Sequence, residues 1–111
     1  MAESNLRKEK LCMIATHYGT INQLSKSIEE LNELKVEIEA LQEQNEIGLS
    51  IYPAPEPLID EIADVKIMLK QLEILFDIKE KVKERMDFKI ERQLGRMRNE
   101  IFELSENEYQ E

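Results

Sequence analysis

Apolar residues recur along most of the chain at the three-to-four spacing of a helix face. Leu11, Ile14, Ala15 and Tyr18 mark a first helix over roughly 5–18. Gly19 reads as its stop. Thr20, followed three residues later by Gln23, reads as a capping box that starts a second helix at once. That helix extends to about Asn45 on a stripe of Ile21, Leu24, Ile28, Leu31, Leu34, Ile38 and Leu41, and Gly48 closes it. Residues 47–57 hold all three prolines and show no helical period, which predicts the one real loop. Pro57 suits the first turn of a third helix. There Leu58, Ile62, Val65, Leu69, Leu72 and Phe76 form the stripe, widened by Met68 and Leu75. This helix is expected to be the most buried. Asp77 with Glu80 signals the start of a fourth helix, carrying Ile78, Val82, Met86, Ile90, Leu94, Met97 and Ile101. The polar segment 105–111 is expected to fray.

The pattern predicts an all-α, single-domain protein over 1–111, a four-helix bundle-type protomer with long second and fourth helices. Helices of about 25 residues, or roughly 38 Å, need more apolar partner surface than one short third helix offers. Assembly through helix faces, as a homo-oligomer, is therefore expected. Composition agrees. With 41% hydrophobic and 35% charged residues the chain can fold. Six residues in all are Gly or Pro and Trp is absent, which argues against a β-sandwich. No apolar run is long enough to span a bilayer, and the first ten residues are polar, so a cytoplasmic location is expected. The single cysteine, Cys12, excludes an internal disulfide and a cysteine-built zinc site.

The net charge is −9, which disfavours nucleic acid and anionic membrane as partners. The charge is uneven. Residues 77–98 carry eight basic and five acidic residues, an excess of +3, and the remainder carries −12. Ordinary solvated helix surface explains much of this. It does not explain the carboxylates near the apolar stripes. On a helical wheel the third helix's core is centred on Leu58, and Glu61 falls about 60° from it, between Met68 and Leu72. Asp64 lies at the stripe's edge. On the second helix Glu30 borders the apolar arc, and Glu33 lies one turn further along. An ionised carboxylate within an apolar stripe is costly unless paired or metal-bound. Each helix thus presents an acid pair at i, i+3: Glu30/Glu33 and Glu61/Asp64. If the two helices pack antiparallel, four carboxylates converge, and a hard divalent cation such as Mg²⁺, with Mn²⁺ as a substitute, resolves their repulsion. The competing reading is that these acids are solvated surface or serve the helix dipole. His17 and Cys12 read as ordinary helix residues, and no Gly-rich phosphate loop is present.

The segment GTINQLSKSIEELNEL, followed by DEIADVKIMLKQL, resembles the MazG-like branch of the all-α nucleoside triphosphate pyrophosphohydrolases. That family carries E-x-x-E, a variable spacer, then E-x-x-D. Here these are Glu30-x-x-Glu33 and Glu61-x-x-Asp64, with 27 residues between them and with Glu29 as the additional acid before the first pair. FKIERQLGR looks like the family's basic last helix, so the resemblance covers about residues 10–98. It implies hydrolysis of an NTP or dNTP to the monophosphate and pyrophosphate, with Mg²⁺ and as a dimer or dimer of dimers. It implies metal ligation by Glu30, Glu33, Glu61 and Asp64, with Glu33 accepting a proton from water. Lys89 and Arg92, then Arg96, would face the triphosphate. Gln23 and Lys26 would reach base or phosphate, and Glu29 and Glu37 would support the ligands. The alternative is a non-catalytic helical dimer, an adaptor or a nucleotide-binding protein.

Overall fold

The computed structural model describes residues 5–109, with side chains through residue 107. Four helices follow one another: α1 (Asn5–Tyr18), α2 (Thr20–Glu46), α3 (Glu56–Leu75) and α4 (Lys79–Tyr109). No strand occurs among the described residues. The all-α expectation and the long second and fourth helices hold, at 27 and 31 residues. Among the described residues, no helix is long and apolar enough to cross a membrane.

The chain divides into two compact units, Met1–Asp77 and Ile78–Glu111. In the first, α1, α2 and α3 pack against one another. In the second, no described residue of α4 is buried. Its Ile90, Met97, Ile101 and Phe102 are all solvent-exposed. The segment from Ser105, expected to fray, is helical through Tyr109, and residues 110 and 111 lie outside the described residues.

One residue joins α1 to α2. The Gly19 amide donates to the Ala15 carbonyl at 2.9 Å and closes α1, while the Gly19 carbonyl accepts from the Gln23 amide at 3.1 Å and opens α2. Its φ of 82° and ψ of 165° lie in a region that essentially only glycine occupies. A Cβ there would meet nothing within 4 Å, so the constraint is backbone strain alone. Gly19→Ala is therefore expected to destabilise the fold by about 1–3 kcal/mol, read from chemical denaturation. The capping box expected at Thr20 and Gln23 does not form: Gly19 is the N-cap and α2 has no side-chain cap. Burial of Gln23 within the helix packing takes its side chain elsewhere, as described below.

The C-terminus of α2 is a Schellman turn. Gly48, at φ 82°, donates to the Asn45 carbonyl, and the Leu49 amide donates to the Gln44 carbonyl at 2.9 Å. Pro55 then caps α3 in extended conformation, with Glu56 and Pro57 in the first turn. Proline loses no helical hydrogen bond there, and the acid complements the dipole. Asp77, expected to start α4, instead ends α3 in the left-handed region at φ 51°, which aspartate tolerates.

The apolar core is small. Leu11, Ala15, Val65 and Met68 are its buried residues among those described. Four polar residues are buried beside them: Gln23, Ser27, Glu30 and Gln71. The buried line of α3 is therefore Val65, Met68 and Gln71. Leu69 and Phe76 of the expected core stripe are 46% and 48% exposed. The packed face is rotated toward the flank where Glu61 lies. The stripe's other side remains as a second, exposed apolar face.

A candidate metal centre between two helices

The site belongs to the first unit and lies where α2 meets α3. Both helices turn a polar line toward each other. On α2 it is Gln23, Ser27 and Glu30, spaced at four and three residues. The facing line of α3 includes Gln71, Met68 and Glu61. Gln23 Nε2 donates to Gln71 Oε1 in a buried hydrogen bond. Glu30, seven residues later on α2, meets Glu61, ten residues earlier on α3. The two helices therefore run antiparallel, the condition for the acid pairs to converge.

Glu30, Glu33 and Glu61 each bring one carboxylate oxygen into a group whose members lie within 4.8 Å of one another. Glu30 is buried, Glu61 is half-buried and Glu33 is exposed. Glu30 thus lies inside the packed face rather than at its border, because α2 presents its polar line to α3 and leaves Ile21 and Ile28 exposed. Oε2 of Glu30 and Oε2 of Glu61 are buried without a hydrogen-bond partner. Leaving a buried acceptor unsatisfied costs free energy, more so when charged. Burial pushes the Glu61 carboxyl above its ordinary range, and the Glu33 charge, a hydrogen bond with Glu33, and the Asp64 and Glu30 charges push it the same way. Every cause opposes the ionised form. A divalent cation would reverse all of them, and an all-oxygen, all-carboxylate donor set suits a hard ion such as Mg²⁺ or Mn²⁺.

The remaining expected site residues fall in three places. Asp64, half-buried one turn from Glu61, adds its charge to the site but is not among the three converging acids. Lys26 bonds Glu30 Oε1 at 3.0 Å and approaches Glu29 at 3.6 Å, so in this structure it compensates the acids. Its hydrogen bond to Glu30, then the charge of Glu29, raises the Lys26 pKa and holds it charged. Gln23 is buried against Gln71, while Ser27 Oγ donates to the Gln23 carbonyl at 2.6 Å. Both glutamines and Lys26 line a cavity of about 460 Å³ that also includes Tyr18 and Met68. Glu37 is half-buried. Lys89, Arg92 and Arg96 are exposed on α4, and the Arg92 guanidinium lies 5.9 Å from the Phe88 ring centre.

Gln71 is the site residue that the sequence pattern did not single out. Its signal is positional: 61, 64, 68 and 71 trace one face of a helix. Once Glu61 is taken to point inward, Gln71 points inward too.

No protein-family model, curated protein or solved structure matches this chain.

Proposed function

We propose that the protein is a Mg²⁺-dependent nucleoside triphosphate pyrophosphohydrolase of the MazG-like type. The observation that carries this reading is the convergence of Glu30, Glu33 and Glu61, with two carboxylate oxygens buried and unpartnered. The E-x-x-E and E-x-x-D spacing on two antiparallel helices supports it. Glu30, Glu33 and Glu61, with Asp64 adjacent, would hold the metal. The ion supplies positive charge against the phosphate oxygens and a lowered pKa for water. Glu33, the exposed member of the cluster, accepts the proton as the water oxygen bonds to phosphorus and the α–β anhydride bond breaks. The monophosphate and pyrophosphate leave. Lys26 has a second role here. Were a cation to take over the charge of Glu30, the Lys26 ammonium would be available to the phosphate chain.

The cavity beside Lys26 provides room for the nucleoside. Gln23 and Gln71 hold one another there, and their remaining carboxamide atoms suit a base edge. The resemblance, and no contact in this structure, is what points to Lys89 and Arg92, one turn apart on α4, as phosphate-binding residues. Exposed Ile21 and Ile28 on α2, and Ile90 and Ile101 on α4, are apolar surface of the kind that oligomers bury. A dimer or dimer of dimers is the assembly proposed, to be read by sedimentation.

The decisive assay is pyrophosphate release from a panel of NTPs and dNTPs with Mg²⁺, with the products identified. The expected result is turnover of at least one nucleotide to its monophosphate, abolished by EDTA. Absence of turnover across the panel would favour the non-catalytic helical dimer, which the exposed apolar faces also suit.

A further inference from the structure

α4 carries one apolar stripe along most of its length. Val82, Met86, Ile90, Leu94, Met97, Ile101 and Leu104 fall within an arc of about 120° on its helical wheel. Apart from half-buried Val82, these side chains are 37–66% exposed. A helix with such a stripe needs a cover, and two features of α4 say which.

The first is symmetry. About a point between Gln93 and Leu94 the apolar positions read the same from either end. Ile90 mirrors Met97, Met86 mirrors Ile101, and Val82 mirrors Leu104 to within one residue. An isologous interface requires a patch complementary to itself, and two copies of α4 laid antiparallel bring these residues together. The second feature is charge. Residues 79–98 hold eight basic and four acidic residues, whereas beyond Arg98 the helix holds no basic residue and carries Glu100, Glu103 and Glu106. Parallel pairing would set like charge against like at both ends. Antiparallel pairing sets the basic part of one helix against the acidic part of the other.

The flanks of the stripe agree with the same register. In an antiparallel pair each flank faces the same flank of the other copy. Arg85 and Glu103 share one angle on the wheel, on one flank, and Asp87 and Arg98 lie about 20° apart on the other. With the two-fold axis between Gln93 and Leu94, Arg85 meets Glu103 of the second copy and Asp87 meets Arg98 of the second copy. Each contact occurs twice. Flanking charges of this kind set orientation and partner choice, while the apolar seam, about 33 Å from Val82 to Leu104, supplies the affinity.

We propose that α4 is a self-association helix that pairs antiparallel with α4 of a second copy, about an axis between Gln93 and Leu94. This assigns a helix, a direction and a register to the assembly proposed above, and it does not rest on the chemistry of the acid cluster.

The test is cysteine cross-linking of the full chain with a short bis-maleimide, in a Cys12→Ser background because Cys12 is exposed. Gln93→Cys, beside the axis, should link to its own copy. Val82→Cys and Leu104→Cys should each fail to link alone, since each lies about 30 Å or more from its own copy, and should link to one another when the two variants are mixed. Sedimentation gives an independent reading. Arg85→Glu should weaken self-association at least tenfold, and Arg85→Glu/Glu103→Arg should restore it. Both variants keep the seam intact, and circular dichroism checks that they fold. Self-linking of Val82→Cys and of Leu104→Cys would mean a parallel pair and overturns the proposal. Absence of a link from Gln93→Cys also overturns it, and self-association that persists without that link would place the interface on the exposed apolar faces of α2 and α3. Weakening by Arg85→Glu without rescue overturns the register. Expected cross-links in a chain that releases no pyrophosphate would remove the enzymatic reading alone.

Discussion

Glu61→Gln is expected to lower Mg²⁺-dependent pyrophosphate release by more than about 100-fold, since loss of residues that merely support metal ligands already costs about 10–100-fold. Glutamine keeps the volume and one acceptor oxygen, so the packing of α3 against α2 survives. What disappears is the charge that a divalent ion needs. Glu30→Gln should behave alike. Glu33→Gln should separate the two roles given to that residue: if Glu33 takes the proton, turnover falls further than metal binding does. Steady-state pyrophosphate release beside a Mg²⁺ titration of melting temperature distinguishes these outcomes. Unchanged turnover in Glu61→Gln would remove the acid cluster from the chemistry.

The second large effect is on stability. An ion that binds the folded chain at a hundred times its Kd adds about 2.7 kcal/mol. For a domain of this size each kcal/mol moves the melting temperature by about 4–8 °C. Mg²⁺ at saturation is therefore expected to raise the melting temperature by about 10 °C or more at neutral pH. Glu61→Leu should abolish that response. In the metal-free chain the same change should leave the melting temperature equal or higher, because the repulsion leaves with the charge. Marked destabilisation of the metal-free chain would instead make Glu61 a structural ion-pair partner. The pH dependence follows from the raised Glu61 carboxyl. A group whose pKa is higher in the folded chain than in the unfolded one binds its proton more tightly when folded. Its contribution is fully present below the unfolded value and is lost as pH rises through the folded value. Between those two values the metal-free wild type should lose stability with rising pH, and Glu61→Gln should lack that component. A flat wild-type profile would contradict this.

Much of the fold was legible because helices announce themselves by period, and Gly19, Gly48 and the proline-rich loop punctuate them. The boundaries of α1 and α2 follow from those signals almost to the residue. The caps were less legible. Thr20-x-x-Gln23 fits a local capping rule, yet the side chain of Gln23 finds a better partner 48 residues away, and tertiary packing overrides the local preference. Asp77 fits an N-cap rule and instead absorbs the strained turn that closes α3. The acid cluster was legible because Glu61 violated an apolar stripe. The degree of Glu30's burial was not. A wheel assigns the face richest in aliphatic residues to the core, whereas α2 buries the polar edge of that face and leaves several aliphatics outside. No single-chain periodicity encodes that choice.

The hydrogen bond between Gln23 and Gln71 has a consequence for how accurately the acids meet. Two antiparallel helices joined by aliphatic contacts alone can slide by a turn, about 5.4 Å, at modest cost. Here such a slip would strand both carboxamides against hydrocarbon, at the full desolvation penalty. The glutamines thus act as a locating pin, and the carboxylates about two turns away on α2 and nearly three on α3 inherit their alignment from a bond in which none of them takes part.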